Sequence, residues 1–264
     1  MAEQPLNALQ RSLRPPLVAL AYFTRIPIPA WVGYRDDDLD RAARWFPLIG
    51  IAVGCIVALV WWLGVHVFPL RVALGLSLVA SVLLTGAFHE DGLADAIDGF
   101  GGGYTRERVL EIMHDSRIGS FGAIALILAL WLKLEALAAL PQAWIAPALV
   151  AAHAASRWLA VSLLCTLDYV RPEGKAKPVA TRLGGAGLLI ATVCGLLPLG
   201  LLPGWQAALL ALPLLALLRI AVSRYLRQRI GGYTGDALGM TQQLAELLLY
   251  LGWLAWVHNA WRFI

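Results

Sequence analysis

The chain has 264 residues, 59% of them hydrophobic and only 14% charged, with a formal net charge of +4. A soluble domain is about 45–50% apolar and roughly 25% charged; with a mean hydropathy of +0.70, this composition reads as a polytopic membrane protein. The modest positive balance fits basic loops at an anionic lipid surface, and no RNP, zinc-finger or basic-helix pattern points to nucleic acid. The expected fold class is all-α: one integral membrane helical bundle over residues 1–264, without soluble domain, linker or strong internal repeat.

In the first 30 residues, Arg11, Arg14 and Arg25 flank a short apolar core that Ile26-Pro27-Ile28-Pro29 ends, a pattern that predicts an amphipathic interfacial helix. No small-residue cleavage site follows it, so no secretory signal is expected. Seven stretches then approach the roughly 20 apolar residues a span needs: 45–65, 71–88, 121–140, 143–165, 184–203, 205–222 and 238–258. The second is expected to run on as a helix past His89 into water. Cys55, Cys165 and Cys194 lie in or beside these runs, show no CxxC spacing, and read as free thiols packed in helices.

Of the 21 Lys and Arg residues, 16 fall on one side of this arrangement, which makes that side cytoplasmic, with the N-terminus there and the C-terminus outside. The outer side has no Asp or Glu, and Trp61, Trp62, Trp144, Trp205 and Trp256 mark it as an aromatic belt does. The chemistry-bearing residues therefore gather on the cytoplasmic side.

Four carboxylates fall within nine residues of His89-Glu90-Asp91-Gly92-Leu93-Ala94-Asp95-Ala96-Ile97-Asp98. Asp91, Asp95 and Asp98 are spaced i, i+4, i+7 and share one helix face. Such crowding is unfavourable on a bare helix and implies a bound cation, and oxygen-only donors suit magnesium, manganese or calcium rather than zinc. Gly99, Gly101, Gly102 and Gly103 follow as a flexible run able to approach an anion, then Arg106 and Arg108. Acids, glycines and arginines together fit a metal-bound diphosphate. Glu111 and Asp115, again i, i+4, precede Arg117 and suggest a second ligand set or a phosphate clamp. Arg171, Lys175 and Lys177 form a basic loop, and Gly231-Gly232-Tyr233-Thr234-Gly235-Asp236 opens the last span. Within that span Glu246 is an intramembrane acid, with His153 and Arg157 of the fourth span as expected partners. Lys133 and Glu135 lie on different helix faces and receive no role.

These residues resemble a known family. Phe88-His89-Glu90-Asp91-Gly92-Leu93-Ala94-Asp95 with Asp98-Gly99 resembles the hallmark of the cobalamin synthase family, the adenosylcobinamide-GDP ribazoletransferases. Asp115-Ser116-Arg117-Ile118-Gly119 with Phe121-Gly122 looks like its second motif. Arg171, Gly174 and Lys175 stand where its basic loop would be, and Gly232-Tyr233-Thr234-Gly235-Asp236 with Gly239, then Glu246, looks like its C-terminal motif. Met240 departs from the pattern, where a smaller residue, commonly alanine, is expected.

The resemblance implies transfer of the phosphocobinamide group of adenosylcobinamide-GDP to α-ribazole or its 5′-phosphate, with release of GMP. It implies a magnesium-dependent enzyme in the bacterial cytoplasmic (inner) membrane, among membrane lipids, as a homo-oligomer or in complex with other cobalamin-assembly enzymes. On this reading Asp91, Asp95, Asp98 and Asp236 are the metal ligands, and Gly101, Gly102, Gly103, Arg157, Arg171, Lys175, Thr234, Gly235 and Glu246 serve the substrate and its phosphates. Arg117 stabilises the phosphates, and His89, Glu90 or Asp115 accepts the proton of the attacking hydroxyl. Two rivals stand beside it. A CDP-alcohol phosphotransferase would use Asp95-Ala96-Ile97-Asp98-Gly99, but Gly102-Gly103 replaces its Ala-Arg pair. A divalent-cation transporter would want its acids near the bilayer midplane rather than in a loop.

Overall fold

In the computed structural model, which describes residues 7–33, 35, 38–170 and 183–260, Asn7 opens the first helix by a reciprocal cap with Gln10. This helix, α1 (Ala8–Phe23), is the interfacial element expected from the sequence, and the buried Arg14–Asp38 ion pair ties it to the short α2 (Asp38–Ala42). There follow α3 (Phe46–Gly64), α4 (Leu70–Thr85), α5 (Phe88–Gly102), α6 (Arg106–Ile112), α7 (Ser120–Ala139), α8 (Gln142–Leu164), α9 (Gly185–Leu196), α10 (Trp205–Ile230) and α11 (Gly235–Ala260). Among the described residues the only strand-like pairing is an isolated bridge between Tyr169 and Tyr233.

Small residues decide the packing around α8. Gly50 and Gly54 sit one turn apart on α3, and a Cβ at Gly50 would stand 2.3 Å from the His153 carbonyl oxygen. The backbones therefore meet directly, as small-xxx-small helix pairs do in membranes. Leu59, Leu83, Ile127 and Leu217 remain exposed on the outer faces of the bundle, where lipid tails would lie. The three cysteines are free, but Cys55 lies on an exposed face of α3 rather than in packing.

Four helices are long and apolar enough to cross a membrane: Asp38–Gly64, Ser120–Ala139, Gln142–Leu164 and Trp205–Ile230; a fifth span is added if α4 and α5 count as one. The expected seven is therefore not confirmed. The run at 184–203 is a short helix followed by a 3-10 segment, and α11 carries Gln242, Gln243 and Glu246 inside its apolar stretch. Nor does the second span run on straight past His89. Gly86 (φ 65°) and Ala87 (φ 59°) are both left-handed, and α5 leaves α4 at 87°. That bend lays the acidic motif across the end of the bundle, between α7 and α11.

Candidate active site

The first and last motifs meet through two glycines. A Cβ on Gly92 would lie 3.1 Å from the Gly239 Cα, and one on Gly239 would lie 3.1 Å from the Gly92 Cα. Helices α5 and α11 thus cross with backbones touching. Met240, the departure from the family pattern, is buried beside this crossing without being its closest point.

The second motif is held by Asp98. Its Oδ2 accepts from the Gly119 amide at 2.7 Å and its Oδ1 from the Gly122 amide at 2.9 Å. A carboxylate there caps the N-terminus of α7 from a distance, satisfying two otherwise unpaired donors and meeting the positive end of the helix dipole. A Cβ on either glycine would come within 2.3 Å of an Asp98 oxygen, so glycine is required at both positions. Asp98 is buried, Asp95 half-buried and Asp91 exposed. The three carboxylates therefore differ in their access to solvent. Among the described residues no three His, Cys, Asp or Glu side chains are grouped to hold a metal ion.

The glycine run is likewise not a flexible loop. Gly101 and Gly102 complete the last turn of α5, and Gly103 follows as its cap with φ −104°. A Cβ would meet the Phe121 ring at 2.8 Å from Gly101 and Val109 at 2.7 Å from Gly103, so these residues let α6 and α7 close on the helix end. Arg229 of α10, which the motifs do not single out, donates to the carbonyls of Phe100 (3.2 Å) and Gly103 (2.7 Å) and binds that end further.

Beyond α5 lies an open polar cleft lined by Asp98, Gly102, Arg108, Glu111, Asp115 and Arg117. Asp115 accepts from Arg117 Nη2 at 2.7 Å, from Nε at 3.1 Å, and from its backbone amide at 3.1 Å. The guanidinium and amide of Arg117 hold the Asp115 carboxyl down at about 2. A carboxylate so acidic is a weak proton acceptor near neutral pH, and in this structure Asp115 is the partner of Arg117. Glu111 turns instead to Arg108, at 2.8 Å.

Glu90 is buried: its Oε1 accepts from Gln243 at 2.9 Å, and its Oε2 has no hydrogen-bond partner. His89 is also buried, its ring stacked on Phe23 at 5.4 Å. Thr234 is fully buried, and its hydroxyl accepts from the Ala237 amide at 3.1 Å. It thus caps the start of α11. Gly235 is exposed and Asp236 half-buried at the mouth of α11. Arg171 and Lys175 lie outside the described residues.

Deeper in the bundle, Glu246 accepts from Lys133 Nζ at 2.7 Å, while His153 and Arg157 stand at 3.6 and 3.7 Å. Both expected partners are near, but the closest cation is Lys133, to which the sequence reading assigned no role. An intramembrane lysine is itself the signal that it has a partner. Its neighbour Glu135, on the other face of α7, pairs with Arg71 instead. Lys133 also donates to Gln243 (2.6 Å), so the buried polar layer runs on to Glu90. It joins α5, α7, α8 and α11, and places Glu246 within the bundle.

The fold defines a polytopic helical membrane protein whose ionisable motifs meet at one end, around an acidic helix and a basic-and-acidic cleft. The chain matches the family model described as "Cobalamin-5-phosphate synthase" over residues 15–254, and it belongs to that family. A Ralstonia pickettii (strain 12J) protein named "Adenosylcobinamide-GDP ribazoletransferase" is 54% identical over 257 residues, covering 96% of this chain and 100% of the relative. Proteins of the same name from Leptothrix cholodnii and Shewanella sp. (strain W3-18-1) are 49% and 48% identical, covering 96% and 89% of this chain and 99% and 91% of the relatives. No solved structure matches. Membership of this family leaves the lipid phosphotransferase and cation-transporter readings without support.

Proposed function

We propose that the protein transfers the phosphocobinamide group of adenosylcobinamide-GDP to α-ribazole or its 5′-phosphate, releasing GMP. What carries this reading is the close, near full-length likeness to proteins named for that reaction. The site is consistent with it: α5 and the 115–122 motif line one open polar cleft, and the 232–239 motif packs on α5 where Gly92 meets Gly239. A ribose hydroxyl of the acceptor attacks the phosphorus that bears cobinamide. The bond from that phosphorus to the GMP oxygen breaks, and GMP leaves with the electron pair.

Magnesium would be held by Asp91 and Asp95, on the accessible side of α5. The fit is to a two-carboxylate site, since magnesium ordinarily takes one or two carboxylates and completes its shell with water and substrate phosphate. When bound, it supplies charge neutralisation on the diphosphate. Asp236, at the adjoining mouth of α11, is assigned to the same region. Arg117 exchanges Asp115 for phosphate oxygens, and Arg171 and Lys175 are assigned to the same phosphates. Glu90, whose Oε2 has no partner, takes the hydroxyl proton. Asp98 is a positioning residue that docks the Arg117 segment on α5.

The enzyme sits in the inner membrane with its site and N-terminus on the cytoplasmic side, as the Lys and Arg asymmetry favours. Incubation of purified protein with adenosylcobinamide-GDP, α-ribazole and magnesium should release GMP and form adenosylcobalamin. Asp95→Asn should abolish this while the protein still inserts and purifies; normal turnover by that variant removes Asp95 from the metal site.

A further inference from the structure

A second cavity opens at the other end of α5. It has about 450 Å³ of empty space, its open mouth included, between α1, the start of α3, α5, α8 and α11. Its wall is aromatic: Tyr22, Phe23, Phe46, Phe88 and His89. Two of these contacts are parallel, Tyr22 on Phe46 (6°) and Phe23 on His89 (9°), and Phe23 meets Phe46 edge to face at 4.3 Å. The opposite wall is aliphatic, with Ala160, Val161, Leu164 and Leu238.

Only Arg157 and Gln242 bring side-chain amide or guanidinium groups to this space. Gln242 is already engaged, donating to Ser156 at 3.1 Å and accepting from Gln243 at 3.0 Å. Arg157 is 2% exposed, and its Nη1 donates to the His153 carbonyl, but its Nε has no acceptor. A buried donor left unmade is costly, and such a group in a native structure calls for a partner. The cavity therefore offers flat aromatic and aliphatic walls and, on Arg157, a buried donor without an acceptor.

We propose that this cavity binds the aromatic base of the acceptor nucleoside, stacked among the rings of α1 and α5, with its one free ring nitrogen accepting from Arg157. The proposal rests on the ribazoletransferase reading and names a subsite for it. A benzimidazole joined to ribose through one nitrogen has a single remaining acceptor; the rest of its surface is apolar. That matches the orphan Arg157 donor in a largely apolar slot. Guanine, with several donors and acceptors, would leave most of them unpaired here, so the same walls keep the donor nucleotide out and leave it the polar cleft. The cavity begins at Phe88 and His89; the cleft begins at Asp98, about 10 Å along α5 from Asp91. Asp91 and Asp95 lie between the two, where acceptor hydroxyl and donor diphosphate must meet.

Ala160→Leu fills the cavity without disturbing a charge or hydrogen bond, and Phe88→Ala removes a ring from its half-exposed rim. Both proteins are purified, checked for wild-type helicity and thermal unfolding, and titrated with α-ribazole by calorimetry, beside initial rates with each substrate varied. Ala160→Leu should weaken α-ribazole binding and raise its KM by roughly tenfold or more, while the KM for adenosylcobinamide-GDP stays unchanged. Phe88→Ala should shift the same two quantities by a smaller factor; it carries the test alone if Ala160→Leu does not fold. Wild-type affinity for α-ribazole in the folded variants, or a loss confined to the donor, overturns the proposal and leaves the cavity to a lipid chain. Binding of α-ribazole without GMP release by the wild type sinks the reaction assignment but keeps the subsite. Normal turnover with an unshifted acceptor KM in Ala160→Leu does the reverse.

Discussion

Two ion pairs of this molecule differ little in chemistry and sharply in setting. Lys133–Glu246 is a 2.7 Å pair whose side chains are 3% and 4% exposed; Arg117–Asp115 is a 2.7 Å pair whose side chains are 87% and 38% exposed. In the buried layer every partner is part of a structure: Glu246 answers Lys133, Arg157, His153, Gln242 and Ser156 together. Removing one member strands the others in a medium that cannot solvate them. In the cleft, water and salt stand ready to replace either partner, so the pair is worth little as a tie. That weakness suits a site. An arginine held by an exposed carboxylate is already oriented and can be surrendered to a phosphate at small cost. The comparison teaches that the Lys133–Glu246 pair ties the bundle together, whereas the exposed Arg117–Asp115 pair can be opened at small cost.

The largest effect should come from breaking the buried layer. Glu246→Gln leaves Lys133 and Arg157 without their carboxylate and should cost about 3–5 kcal/mol of stability, read as early thermal unfolding in detergent. If Glu246→Gln unfolds like wild type but is inactive, the buried layer belongs to the chemistry and the contrast fails. Arg117→Lys sharpens the comparison from the other side. Lysine keeps the charge and loses the planar fork that grips two oxygens. Turnover should fall on the order of 10²-fold with unfolding unchanged; wild-type rates would show that Arg117 is only the partner of Asp115.

The smallest effect should be that of Asp115→Asn. With its folded-state value depressed to about 2, this carboxyl stabilises the protein above its unfolded value and loses that contribution only as pH falls through about 2. Between about pH 5 and 8 it stays ionised, so Asp115→Asn should leave the shape of the pH–rate profile unchanged. Thermal unfolding should stay close to that of the wild type, as for other surface substitutions. A lost ionisation limb in that window would restore Asp115 as a proton acceptor.

Composition and hydrophobic run length were enough to make this a helical membrane protein, because the bilayer accepts few alternatives to a helix for a long apolar segment. The spacing of Asp91, Asp95 and Asp98, with the motifs around Arg117 and Gly235, was enough to mark the polar end and the family. The sequence could not say which acid does what. Asp98 lies on the same helical face as Asp91 by periodicity, yet it caps α7, because only the docking of Gly119 and Gly122 brings two unpaired amides to it. Lys133 looked idle in its own helix and finds its carboxylate 113 residues away. The glycine run looked like a loop and is the end of a packed helix, since a missing side chain permits both mobility and close approach. The 87° bend needs Ala87 as well as Gly86 in the left-handed region; the glycine is a local stop signal, but nothing local favours φ 59° at the alanine. Periodicity and composition are properties of one segment and can be read along the chain. Caps, buried partners and bends are set by a second segment, and are decided only when the two are packed together.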